Sequence, residues 1–182
     1  MQQELFLGIK ATATSVQRLQ TWLDTQEKPT QEKPAQEKTT AALLCFGDYG
    51  AHADVVPALL AMAQAQNIAF LLLDDVERVL SLGADGLHLS DKNRFDATRR
   101  ALNAAAGENP PALGLFGSQD RHETMLIGEK EPDYLFFGTL EGRWTEADKE
   151  AITSANWWAD LFEIPCVCAG NSRAEFKYQL LD

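Results

Sequence analysis

Residues 70–90 read Phe70-Leu71-Leu72-Leu73-Asp74-Asp75-Val76-Glu77-Arg78-Val79-Leu80-Ser81-Leu82-Gly83-Ala84-Asp85-Gly86-Leu87-His88-Leu89-Ser90. An apolar run of strand length leads into a helix-period segment that Gly83 stops, and a second short apolar run follows at once. Phe70 to Leu73 is apolar at consecutive rather than alternate positions, the pattern of a strand covered on both faces. Strand, helix and strand in this order make a parallel βαβ unit.

Outward from this unit the alternation continues. Strand-length apolar runs stand at Leu5 to Ile9, Ala42 to Phe46, Ile68 to Leu73, Gly86 to Leu89, Ala112 to Phe116, Tyr134 to Phe137 and Pro165 to Ala169. Helical patterns lie between them, such as Val55, Leu59, Leu60 and Met62 on one face, and Arg94 to Ala106 running into Gly107. The class is α/β with parallel strands, either an open doubly wound sheet or a closed (β/α)8 TIM-type barrel. No G-x-G-x-x-G follows the first strand, where Gly8-Ile9-Lys10 leads into Ala11-Thr12-Ala13, and this counts against an open dinucleotide-binding sheet.

The 182 residues carry 16 Lys+Arg against 27 Asp+Glu, a net charge of −11, with 45% hydrophobic and 24% charged residues. That composition suits one domain over residues 1–182 and excludes a disordered chain. The acidic balance disfavours a nucleic-acid partner, and no apolar run is long enough to span a membrane. A start without a basic and then apolar leader, and only three cysteines, predict a reduced, cytoplasmic protein. Residues 26–39 repeat a Gln-Glu-Lys-Pro unit nearly three times, a pattern that buries no face and predicts a mobile, exposed low-complexity insert.

The 70–90 stretch resembles the third and fourth strands of thiamine phosphate synthases, with their apolar strand, Asn-Asp, helix and Gly-Ala-Asp-Gly-[VI]-His. Pro132 to Gly138 and Glu163 to Asn171 resemble that family's sixth and seventh strands. The resemblance implies the barrel. It also implies a chain that stops at Asp182 before its eighth strand, with Ser172 to Leu181 starting the helix ahead of it. Strands one and seven would then have open edges, which makes a homo-oligomer or strand addition plausible.

By the same resemblance, the reaction joins an aminopyrimidine diphosphate to a thiazole phosphate with release of pyrophosphate. Such chemistry calls for a divalent cation, Mg2+, and cationic side chains on the leaving group. Asp74 falls on the position of a catalytic, metal-binding carboxylate and Asn93 on that of a second metal ligand. The competing reading of Asp74 is a helix cap, a role open equally to Asp75. Gly170, Asn171 and Ser172 fall on a phosphate-binding loop, and Lys149 is left as a phosphate-facing cation.

Departures from the family pattern are many. Cys45 to Gly50 carries none of the second-strand cations, Leu73 replaces an Asn, and Phe116 replaces a hydroxyl with a ring. The expectation is therefore a synthase-like protein with reduced or altered activity. Its alternatives are a noncatalytic paralogue binding a small phosphate ligand, and a thiazole tautomerase with an acid/base residue near Ser118, for which His122 would stand in. His88 reads as a core histidine, Cys166 and Cys168 as small core residues.

Overall fold

The computed structural model describes residues 4–26, 40–141, 146–168 and 174–181. Its strands are β1 (Glu4–Lys10), β2 (Thr40–Phe46), β3 (Ala69–Leu73), β4 (Gly86–Leu89), β5 (Ala112–Phe116), β6 (Tyr134–Phe137), β7 (Cys166–Cys168) and β8 (Phe176–Leu181). Helices α1 (Ser15–Gln26), α2 (Val55–Ala65), α3 (Val76–Leu82), α4 (Phe95–Ala106), α5 (Arg121–Gly128) and α6 (Glu146–Leu161) lie between them. All neighbouring strands are parallel, and β8 pairs with both β7 and β1 to close the barrel.

The expected absence of an eighth strand is thus overturned. Phe176 to Leu181, read as the start of a helix, form a strand in register with Glu4 to Ile9. Its alternation explains why: Tyr178 turns into the barrel, while Lys177 and Gln179 turn outward. Strands one and seven have no open edges, so the edge argument for a homo-oligomer falls with it. The insert expected at residues 26–39 lies outside the described residues, apart from Gln26 at the end of α1.

One device joins the strands in pairs. The Asp85 carboxylate accepts the Phe70 N–H of β3 at 2.8 Å. Asp133 accepts the Leu113 N–H of β5 at 2.6 Å, and Glu175 accepts the Cys166 N–H of β7 at 2.8 Å. Each acid stands just before an even-numbered strand, follows a buried Ala84, Pro132 or Ala174, and satisfies a donor near the start of the preceding odd strand. A buried strand N–H left without a partner costs roughly 1–3 kcal/mol, which is what these three carboxylates prevent.

The barrel interior is packed solid. Phe6, Leu44, Leu71, His88, Tyr134, Phe136, Val167 and Tyr178 fill it. Large side chains are accommodated where neighbouring strands carry glycine: a Cβ at Gly8 would fall within the Tyr178 ring, and one at Gly114 within the Tyr134 ring. The outer faces of the strands, with Leu7, Leu43, Leu72, Leu87, Cys45, Cys166 and Cys168, pack against the helices in the second core layer. Among the described residues, no helix is long and apolar enough to cross a membrane.

Candidate functional site at the barrel mouth

Barrels of this kind gather their chemistry at the C-terminal ends of the strands. At the end of β3, Asp74 adopts the left-handed conformation, φ 58°, and its N–H donates to the His88 carbonyl of β4 at 2.9 Å. That backbone geometry turns the Asp74 carboxylate toward Ser90. Oδ1 accepts the Ser90 N–H at 3.0 Å and Oδ2 accepts the Ser90 hydroxyl. The Arg94 guanidinium stands 3.6 Å from Oδ1. Capping falls to Asp75 instead: its carboxylate accepts the Arg78 N–H at 2.8 Å and pairs with the Arg78 Nε at 2.9 Å. The cap reading of Asp74 is thereby removed, and its side chain is left at the mouth.

Tyr49 fixes the strand end just before Asp74. Its hydroxyl accepts the Leu73 N–H at 2.9 Å and donates to the Cys45 carbonyl at 2.7 Å, tying β2 to β3. Burial holds this phenol well above its ordinary titration range. Nothing in the sequence pattern singled out Tyr49, because its role depends on two strand ends meeting around one hydroxyl.

The neighbouring rim is crossed by further ion pairs. Lys10 at the end of β1 meets Glu141 of the loop after β6 at 3.0 Å. Lys92, in the 3-10 turn Lys92–Arg94, meets Glu123 of α5 at 2.5 Å, and Ser118 donates to the same carboxylate at 2.7 Å. The Lys92 and Ser118 hydrogen bonds hold the Glu123 carboxyl below its usual range. The loop after β6 leans over the barrel, where the Leu140 carbonyl accepts the Tyr178 hydroxyl at 2.7 Å.

Asp74 borders a cavity of about 520 Å3 with Gly47, Tyr49, Glu77 and Arg94. Exposed Asn93 borders a different one, of about 350 Å3, with Ser90, Lys92, Phe116, Ser118 and Glu123. Among the described residues, no three His, Cys, Asp or Glu side chains gather as metal ligands. With Asp74 facing Arg94 and Asn93 opening elsewhere, the described donors do not by themselves make a magnesium site. Lys149 is exposed in the first turn of α6. Gly170, Asn171 and Ser172 lie outside the described residues. His122 is exposed, its N–H donating to the Asp120 cap at 2.8 Å. His88, by contrast, is fully buried inside the barrel.

A family model described as thiamine monophosphate synthase matches residues 47–182. The chain belongs to that family. It is 32% identical over 127 residues to a thiamine-phosphate synthase of Rhodospirillum centenum, covering 66% of this chain and 57% of the relative. To a thiamine-phosphate synthase of Erythrobacter litoralis it is 32% identical over 117 residues, 62% of this chain and 53% of the relative. The match thus spans about half the length of these curated relatives. In three dimensions the barrel resembles a thiamine phosphate pyrophosphorylase from Pyrococcus furiosus, with a TM-score of 0.68 at 13% identity, over 97% of this chain and 85% of that one. Membership in this thiamine-biosynthesis family accounts for the 70–90 pattern. Within it, Asp85 joins strands and His88 fills the barrel, while Asp74 alone of these three reaches the rim.

Proposed function

We propose that this barrel is a thiamine phosphate synthase-like protein that takes small phosphate-bearing molecules at its mouth. In this reading it joins an aminopyrimidine diphosphate to a thiazole phosphate, releasing pyrophosphate, with reduced activity. The observation that carries the reading is Asp74, held at the end of β3 by Ser90 while Asp75 does the capping. Reduced activity rests on the pairing of Lys10, Lys92 and Arg94 with Glu141, Glu123 and Asp74. A cation already matched by a carboxylate offers less stabilisation to the charge that develops on a leaving diphosphate. The same pairing favours a second reading, a noncatalytic paralogue that retains phosphate-ligand binding. The tautomerase alternative gains no comparable support from exposed His122. A cytoplasmic setting belongs to the same proposal.

The test is thiamine phosphate formation by the full chain from both substrates, with Mg2+ and with EDTA, beside Asp74→Ala. Slow turnover that Asp74→Ala abolishes supports the synthase reading. Absence of turnover, together with a rise in melting temperature on adding thiazole phosphate, supports the noncatalytic one. Neither turnover nor a thermal shift refutes both.

A further inference from the structure

Among the described residues, His88 Nε2 is the buried side-chain polar atom without a hydrogen-bond partner. The other ring nitrogen, Nδ1, shares a hydrogen bond of 2.9 Å with the Tyr134 hydroxyl. Aromatic rings pack on it: the Phe116 ring stands edge-on at 4.3 Å between centroids and the Phe136 ring at 5.8 Å. Leaving a buried polar atom unpaired is unfavourable by roughly 1–3 kcal/mol, and such an atom usually meets water or a ligand.

The register locates the Phe116 ring beside this imidazole. His88 lies opposite Gly114 in the β4–β5 ladder, so Phe116, two residues farther along β5, stands nearer the mouth. Phe116 is half-buried and also borders the 350 Å3 cavity whose rim carries Ser90, Lys92, Asn93, Ser118 and Glu123. One ring therefore packs on the unpartnered imidazole inside the barrel and lines the polar cavity outside it.

We propose that Phe116 is the specificity-determining residue of the mouth, its ring shutting the cavity off from His88. The site then holds its ligands at the polar rim, and a ring carried by such a ligand is kept out of the barrel, away from Nε2. Removing the Phe116 ring would open a place for a flat ring with a polar edge, its body against Phe136 and its edge toward His88. This inference rests on the mouth being the ligand site.

The experiment uses the full chain and diethyl pyrocarbonate, with carbethoxylation of each histidine followed by peptide mass spectrometry. Exposed His122 serves as the internal reference. His88 is expected to be protected at least tenfold relative to His122 in the wild type. Phe116→Ala and Phe116→Ser are expected to abolish that protection, and Phe116→Leu, which keeps apolar bulk and perturbs folding least, to lessen it. Imidazole, as the heteroaromatic probe, should bind folded Phe116→Ala at least tenfold more tightly than wild type, a gain that a second change, His88→Phe, removes. Labelling of wild-type His88 as fast as His122 overturns the seal. So does full protection in a folded Phe116→Leu or Phe116→Ala protein, and unchanged imidazole affinity overturns the specificity role. Failure of the wild type to bind thiazole phosphate would remove the functional reading while leaving the labelling result to decide what the ring covers.

Discussion

Gly114→Ala is the sharpest probe of how the barrel interior is built. Gly114 sits on β5 opposite Tyr134 of β6, and a Cβ there would fall within the fully packed Tyr134 ring rather than against the end of a flexible side chain. Tyr134 is only 6% exposed, so its ring has nowhere to swing without moving Phe6, His88 or the backbone. Overpacking of this kind costs about 1–3 kcal/mol. Displacing the ring also breaks its hydrogen bond to His88 Nδ1, worth about 0.5–1.5 kcal/mol, and leaves that imidazole with both nitrogens unpaired. Alanine regains about 0.5–1 kcal/mol over glycine within a strand. The net expectation is a loss of about 2–3 kcal/mol, or roughly 5–10 °C in Tm for a chain of this size. Urea unfolding of Gly114→Ala, Tyr134→Ala and the double variant measures it. The double variant should fall short of the summed losses by about 1 kcal/mol or more, because the alanine Cβ then has room. A Gly114→Ala protein as stable as wild type, or strict additivity, would refute the account.

Three further outcomes follow from the same structure. Burial lowers the His88 pKa to about 3 from an ordinary 6.5, so the unfolded chain takes up that proton more readily than the folded one. Its contribution to stability is present in full above pH 6.5 and is lost as pH falls from there toward 3, and His88→Gln should flatten the pH dependence of urea unfolding in that window. Glu175→Ala removes the acceptor of the Cys166 N–H and should destabilise by about 1–3 kcal/mol, with faster hydrogen exchange at that amide; unchanged exchange would argue against the β7–β8 junction. Glu123→Gln should free Lys92 from its ion pair and tighten the binding of inorganic pyrophosphate measured by calorimetry, an effect that added salt weakens; equal affinity in both proteins would contradict the paired-cation explanation.

The eighth strand shows where legibility ran out. The Gly83-Ala84-Asp85-Gly86 block was readable because a glycine stop, a strand and a family pattern coincide there. Ala174-Glu175-Phe176 carries the same structural role without the glycines, and only the repeated carboxylate-to-strand bond reveals the equivalence. A small buried residue followed by an acid and an apolar run was the available signal, present already at 84–86 and 132–134. Asp74 could be picked out as a site residue, yet its competition with Asp75 for the helix cap could be decided only by backbone direction, because either carboxylate can serve a neighbouring N–H.

Sequence by itself determined the parallel α/β class, the order of the first seven strands, the family and the position of Asp74, since these depend on local periodicity and motif spacing. Tertiary structure alone decided barrel closure, the pairing of the rim cations and the covering of His88 by Phe116. Each of those joins residues that are 20 to 172 positions apart or on neighbouring staves. Such contacts depend on strand register and on which glycine makes room for which ring, information that no single stretch of the chain carries.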